Sequence, residues 1–222
     1  MNRLIVQLCV ASCLLGVALS SGCGAVGFLG AIEQERRRTA KVMVEAEYRG
    51  LEGESVAVIV DAQRDIYMTS PEIVGAILTE VVARLEENEA AERIISPQQV
   101  QTVLYDEPDL LDRTFDEIAA RFGVTRLVII QLEEFRLSEF GNEYVWNGHA
   151  AGNLMVVEAD SYLEDDVRLD RYVSVRYPTQ PNVTVDEIPA QAVALELLRR
   201  FANRTSWFFY DHLERHEDFR EY

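Results

Sequence analysis

Cysteine is missing from this sequence beyond position 23: Cys9, Cys13 and Cys23 are the only three, and the other 199 residues have none. That excludes a disulfide framework and a cysteine nucleophile for everything downstream. Histidine is nearly as scarce, with only His149, His212 and His216. Basic charge is also short, because 21 Lys and Arg stand against 38 Asp and Glu, a formal net charge of −17. A surface this acidic repels phosphate backbones, so nucleic acid is not an expected partner. No G-x-S-x-G elbow and no internal repeat occur, so neither a hydrolase elbow nor a solenoid is expected.

What is present begins at the N-terminus. Met1-Asn2-Arg3 leads into an apolar run over residues 4–19, followed by Ser20-Ser21-Gly22-Cys23-Gly24. A short basic start, an apolar stretch too short for a comfortable span and small residues before a cysteine describe an export signal. The segment resembles a bacterial lipoprotein signal. That resemblance implies removal of residues 1–22, lipidation of Cys23 and attachment to a membrane facing the periplasm. Gly24 rather than Asp follows the cysteine, which implies the outer membrane rather than the inner. Two departures stay open: Ser20 occupies the usual Leu position, and Val10-Ala11-Ser12-Cys13 is a rival box. The same residues spell G-x-G-x-x-G over residues 22–27, with Glu45 downstream. No core strand precedes that stretch, so it is not a dinucleotide fingerprint and no cofactor is expected.

Residues 23–40 read as a lipidated tether, with the basic triplet Arg36-Arg37-Arg38 placed to rest on headgroups. Residues 41–214 read as one mixed α/β domain and residues 215–222 as a charged, frayed tail. Val42, Val44, Ala46 and Tyr48 alternate as an extended edge, and residues 56–60 form a continuous apolar run, the mark of a strand covered on both faces. Ser70-Pro71 starts a helix whose stripe is Val74, Ile77, Leu78, Val81, Val82 and Leu85. Ile94-Ile95 runs into the capping box Ser96-Pro97-Gln98-Gln99. Thr114 and Glu117 form another box, and Gly123 ends that helix.

Three strands follow as a meander: residues 127–138, 144–157 (with Gly148 and Gly152 on one face, where something packs closely) and 167–177. An amphipathic helix from about residue 185 closes the chain, with Ile188, Ala192, Leu195, Leu198, Phe201 and Phe208 facing inward and Pro189 in its first turn. The expected fold is one mixed sheet with helices packed on it and a long C-terminal helix.

The strand over residues 55–61, the helix at Ser70-Pro71, the turn Ile95-Ser96-Pro97 and the helix-to-strand passage over residues 118–128 together resemble one group of envelope proteins. These are the TolB N-terminal domain, the secretion lipoprotein CsgG and the lipoprotein activators of penicillin-binding proteins. The pattern is also similar to planctomycete-type lipoproteins of unknown role. The resemblance covers roughly residues 53–160 and implies a small α/β module that binds or helps to assemble other envelope proteins without catalysis. The propeller of TolB and the pore hairpins of CsgG have no counterpart here.

Chemical candidates are thin. His212 and His216 are four apart, but Glu214 sits at the wrong offset for a zincin, so no metal is expected. Asp61 and Asp65 follow the first core strand without a phosphate loop, and His149 reads as a hydrogen-bonded sheet residue. Four successive aromatics over residues 207–210 cannot all face one core from a helix. The hairpin over residues 133–146 carries Phe135, Leu137, Phe140, Tyr144 and Trp146, more large apolar surface than a free tip needs, and is the expected partner surface. Two alternatives stand behind the non-enzymatic reading: a small-ligand-binding lipoprotein and a metal-dependent hydrolase.

Overall fold

A computed structural model describes residues 41–159 and 167–215. Strands β1 (Lys41–Val44) and β2 (Ser55–Ala62) lead into helices α1 (Arg64–Thr69) and α2 (Pro71–Glu87). Then come β3 (Arg93–Ile94), α3 (Pro97–Asp106), a 3-10 turn at Leu110–Asp112 and α4 (Phe115–Phe122). The long strands β4 (Arg126–Arg136), β5 (Gly148–Glu158) and β6 (Val167–Tyr177) precede α5 (Ala190–Ser206) and β7 (His212–Arg215). The chain divides into two compact units. The smaller includes, among the described residues, 41–42 and 213–215, and β1 pairs with β7 as a two-stranded sheet. The larger, Met43–His212, holds a five-stranded sheet in the order β3-β2-β4-β5-β6.

The fold is mixed α/β. β2 runs parallel to β3 and β4, while β4–β5 and β5–β6 are antiparallel. This follows from the connections: helical crossovers join the parallel strands and short links join the antiparallel ones. The apolar run of β2, Val56 through Val60, is buried throughout, as a central strand requires. On this core pack α2 and α3 (against β2), α4 (against β4) and α5 (against β5 and β6), and α2 also meets α5.

Local signals place the helix ends well. Thr114 Oγ1 accepts from the Glu117 N–H while the Glu117 carboxylate accepts from the Thr114 N–H, a complete capping box. Gly123, at φ +65°, closes α4 in the left-handed conformation that glycine adopts without strain. Ser96 caps α3 through the Gln99 N–H. Ser70 makes no side-chain cap, because it also ends α1, where its N–H bonds to the Ile66 carbonyl.

Four expectations need correction. The six-residue α1 was not expected, since it buries a single residue, Ile66, and so shows no period. β5 begins at Gly148, not at residue 144. Before it, Trp146 N–H bonds to Val183 O and Val185 N–H to Tyr144 O, so this segment pairs with the 183–185 loop instead. The last helix starts after Pro189, which shifts its buried face to Val193, Leu197, Leu198, Phe201 and Ala202 and leaves Leu195 64% exposed. That helix ends at Ser206, so His212 opens a strand rather than lying in a helix.

The signal segment, Cys13, Cys23, the tether, the connection at residues 164–166, His216 and the tail beyond it lie outside the described residues.

Candidate functional site: the β4–β5 hairpin

β4 and β5 pair over most of their length, with one irregularity between Leu132 and Glu134. The extra residue, Glu133, makes a β-bulge there, and bulges re-aim side chains. Two consecutive carboxylates reach the same face as a result: Glu133 Oε1 accepts from Asn153 Nδ2 at 3.0 Å, and Glu134 Oε2 meets His149 Nδ1 at 2.7 Å. Asn153 and His149 lie four apart on one strand and so share that face. It is the face opposite Gly148, whose site packs toward Leu197 and Val193 of α5. Gly152, opposite the bulge, is forced by close approach, because a Cβ there would lie 2.3 Å from the Gln131 carbonyl oxygen. The expected tight packing at Gly148 and Gly152 is therefore present.

His149 extends the chain of bonds to a third strand, with Nε2 2.9 Å from Ser174 Oγ on β6. An ionised carboxylate only accepts, so Nδ1–H donates to Glu134, while Nε2 shares a hydrogen bond with the Ser174 hydroxyl. Glu134 also accepts from Arg136 Nε. Partial burial pulls its carboxyl upward, but the hydrogen bonds from Arg136 and His149 together outweigh it and hold the group below the ordinary Glu range. The order carboxylate–imidazole–hydroxyl is that of an activated serine. Ser174, however, sits in mid-strand, where successive N–H groups point to opposite edges and cannot converge as an oxyanion hole. The arrangement acts as a clamp across β4, β5 and β6.

Beyond the clamp the hairpin tip is built from short bonds. Asn147 N–H returns to Leu137 O at 3.0 Å, Asn142 N–H to Glu139 O at 3.0 Å, and Asn147 Nδ2 to Glu139 Oε1 at 2.5 Å. Gly141, at φ +84°, supplies the turn. The five apolar residues expected here divide. Phe135 and Leu137 are half-buried against the core. Trp146 is half-buried and donates Nε1–H to Ile188 O at 2.8 Å. Phe140 is fully exposed and Tyr144 is 80% exposed.

The other candidates do not assemble. Asp61 Oδ1 accepts from the Ala62 N–H, and Asp65 is exposed on α1. Tyr67 is raised by burial and then by the charge of Asp61. His212 stacks on Trp207 at 4.5 Å and 8°. Of the four aromatics, Phe209 is buried while Phe208 and Tyr210 pack on the core, because the chain leaves the helix before them. Among the described residues no cluster of three or more His, Cys, Asp or Glu is placed to hold a metal, and no helix is long and apolar enough to cross a membrane. A second charged cluster, at the start of β4, is structural. Arg126, 7% exposed, meets Glu54 at 3.3 Å and Glu158 at 3.9 Å, and Tyr48 donates to Glu158 at 2.8 Å. Burial first, and that bond second, push the Tyr48 hydroxyl above the ordinary tyrosine range.

The clamp was only half visible in the sequence. His149 read as a bonded sheet residue, but its partners depend on a bulge that alternation alone does not reveal.

No protein-family model matches the chain, and no curated protein matches it in sequence. Among solved structures it is similar to the lipoprotein GNA1162 from Neisseria meningitidis, at 12% identity and TM-score 0.44, over 67% of this chain and 98% of that one. It is also similar to the PelC dodecamer from Paraburkholderia phytofirmans (12%, TM-score 0.42, 77% and 98%). A third is the LpoB C-terminal domain from Salmonella enterica (11%, TM-score 0.33, 56% and 83%). These are likenesses of backbone path, and they carry no site residue across.

Proposed function

We propose that this chain is a lipid-anchored protein of a bacterial cell envelope whose α/β domain binds another envelope protein through the tip of the β4–β5 hairpin. The carrying observation is the contrast within that hairpin: Phe140 and Tyr144 are exposed, while Trp146 and the Glu134–His149–Ser174 clamp fix the base beneath them. Exposed aromatics on a rigid support lose little entropy on binding and dominate interface energies. The signal-like N-terminus supplies the address, with Cys23 as lipid site and the domain in the periplasm, at the outer membrane. The sequence resemblance to the TolB, CsgG and penicillin-binding-protein activator group supports protein binding rather than catalysis.

The test uses the full-length protein in its own envelope. Crosslinking should give a discrete adduct with the unaltered protein, and a Phe140→Ser, Tyr144→Ser double variant should lose it at unchanged protein level and melting temperature. An adduct that persists in the double variant rules out the tip as the docking surface.

A further inference from the structure

The outer edge of the sheet is a second exposed feature, separate from the hairpin tip. β6 is the last strand in the order β3-β2-β4-β5-β6 and, among the described residues, pairs only with β5. It is 11 residues long and contains no proline. Edge strands of this length are normally shortened, kinked or covered, because their free N–H and C=O groups accept another strand. Beyond a register irregularity at Arg168 its side chains alternate: Leu169, Val173 and Val175 are buried, with the exposed Arg171 on their face, while Asp170, Tyr172, Ser174 and Arg176 share the opposite face.

The outward backbone groups can be identified. Asp170 O accepts from Arg171 Nη1 at 2.7 Å and Arg176 O from Arg200 Nη1 at 3.1 Å. Both carbonyls therefore turn away from β5, and by the alternation of an antiparallel ladder so do those of Tyr172 and Ser174. These two central residues have no such cap among the described residues. The charges along the strand divide in the same way. Arg168 pairs with Glu158, and Arg171, on the other face, pairs with Glu47. Asp170 and Arg176 are exposed and have no ion-pair partner among the described residues.

We propose that two copies of this chain associate through β6, antiparallel about a two-fold axis at Val173. That register sets Tyr172 against Ser174 of the second copy, and the reverse, so each pair exchanges two backbone hydrogen bonds. It also sets Asp170 against Arg176 twice, satisfying both unpaired charges. Moving the axis to Asp170 would oppose the two aspartates, and moving it to Tyr172 or Ser174 would part Asp170 from Arg176, so neither charge would be met. The charge pattern therefore selects the copy and the register together. The two-fold gives an isologous, closed pair rather than a filament. Each full-length copy carries a net charge of −17, so the association is measured at about 0.15 M salt, where the long-range repulsion between copies is screened.

Sedimentation equilibrium of the full-length protein in detergent, at that ionic strength, tests this. The unaltered chain should dimerise. Asp170→Arg or Arg176→Asp alone replaces two attractions by two repulsions and should weaken the dimer by about tenfold or more, and the double swap should recover it to within about threefold. Both side chains are exposed, so each variant should keep the unaltered melting temperature, which verifies the fold. Three results would overturn the proposal: a monomer at all concentrations, which would leave the edge to a strand from another protein; single variants that dimerise normally, which would place the contact elsewhere; or a double swap that fails to recover.

Discussion

His149 Nδ1 stands 2.7 Å from Glu134 Oε2, joining neighbouring strands at the foot of the hairpin, while its other nitrogen reaches Ser174 on the third strand. One imidazole thus satisfies polar groups from β4 and β6 at once. Leucine in its place would leave both without that partner on a half-buried face. His149→Leu should lower stability by about 1–2 kcal/mol, read as a shifted urea midpoint with unchanged slope. A shift below about 0.3 kcal/mol would mean that water replaces the ring without loss.

The same contact makes the hairpin sensitive to acid. The Glu134 carboxyl lies below its ordinary range in the folded protein, since the bonds from Arg136 and His149 outweigh partial burial. A depressed carboxyl contributes stability that is fully present above its unfolded value, about 4.3, and is lost as pH falls through the lower folded value. The stability difference between the unaltered protein and Glu134→Gln should hold at neutral pH and close below about pH 4. Glu134 is 38% exposed, so solvent screening keeps the difference small. Paired urea titrations from neutral pH to pH 3 measure it, and a difference that widens toward acid would contradict the sign.

Anchoring is expected to depend on Cys23. Cys23→Ser should leave an unprocessed precursor that takes up no lipid label. Unchanged processing and labelling would move the lipid site to Cys13 or remove lipidation altogether.

The core was legible because its signals are local. The unbroken run in β2, the stripe of α2 and the caps at Ser96, Thr114 and Gly123 each depend on a few adjacent residues. What escaped depends on distant partners. The face of α5 is set by what Val193 and Leu197 meet near Gly148, and the sequence could not phase that helix without it. The β1–β7 pair joins residues at opposite ends of the described chain. At the candidate site the aromatics were evident, but their division was not. Trp146 is tied down by the carbonyl of Ile188, 42 residues away, and no spacing reveals such a contact.

Gly152 gives a sharp test of the bulge. An alanine Cβ there would lie 2.3 Å from the Gln131 carbonyl oxygen and 3.1 Å from Leu132 Cα, both backbone atoms that cannot swing aside. Gly152→Ala should therefore destabilise by about 1–3 kcal/mol, the usual cost of overpacking, although alanine is ordinarily neutral or better in place of glycine. Gly53 has nothing within 4 Å of an added Cβ, but its φ of +75° is a conformation that alanine adopts only with strain, so Gly53→Ala would report backbone strain and Gly152→Ala crowding.

The tip and its foot should respond differently to loss of an aromatic. Trp146 is half-buried, and its indole N–H reaches Ile188 O at 2.8 Å, fastening the hairpin to the loop that leads into α5. Trp146→Phe keeps most of the ring but removes the donor, leaving a half-buried carbonyl without it, and should cost about 1 kcal/mol. Trp146→Ser removes the packing as well and should cost about 3 kcal/mol or more. Phe140→Ser removes a side chain that touches only solvent and should stay within about 0.5 kcal/mol of the unaltered protein. Thermal melts should rank the variants Phe140→Ser, Trp146→Phe and Trp146→Ser, from the least to the most destabilised. If Phe140→Ser proved as costly as Trp146→Ser, the tip would be folded onto the protein, and Phe140 could no longer serve as a docking residue.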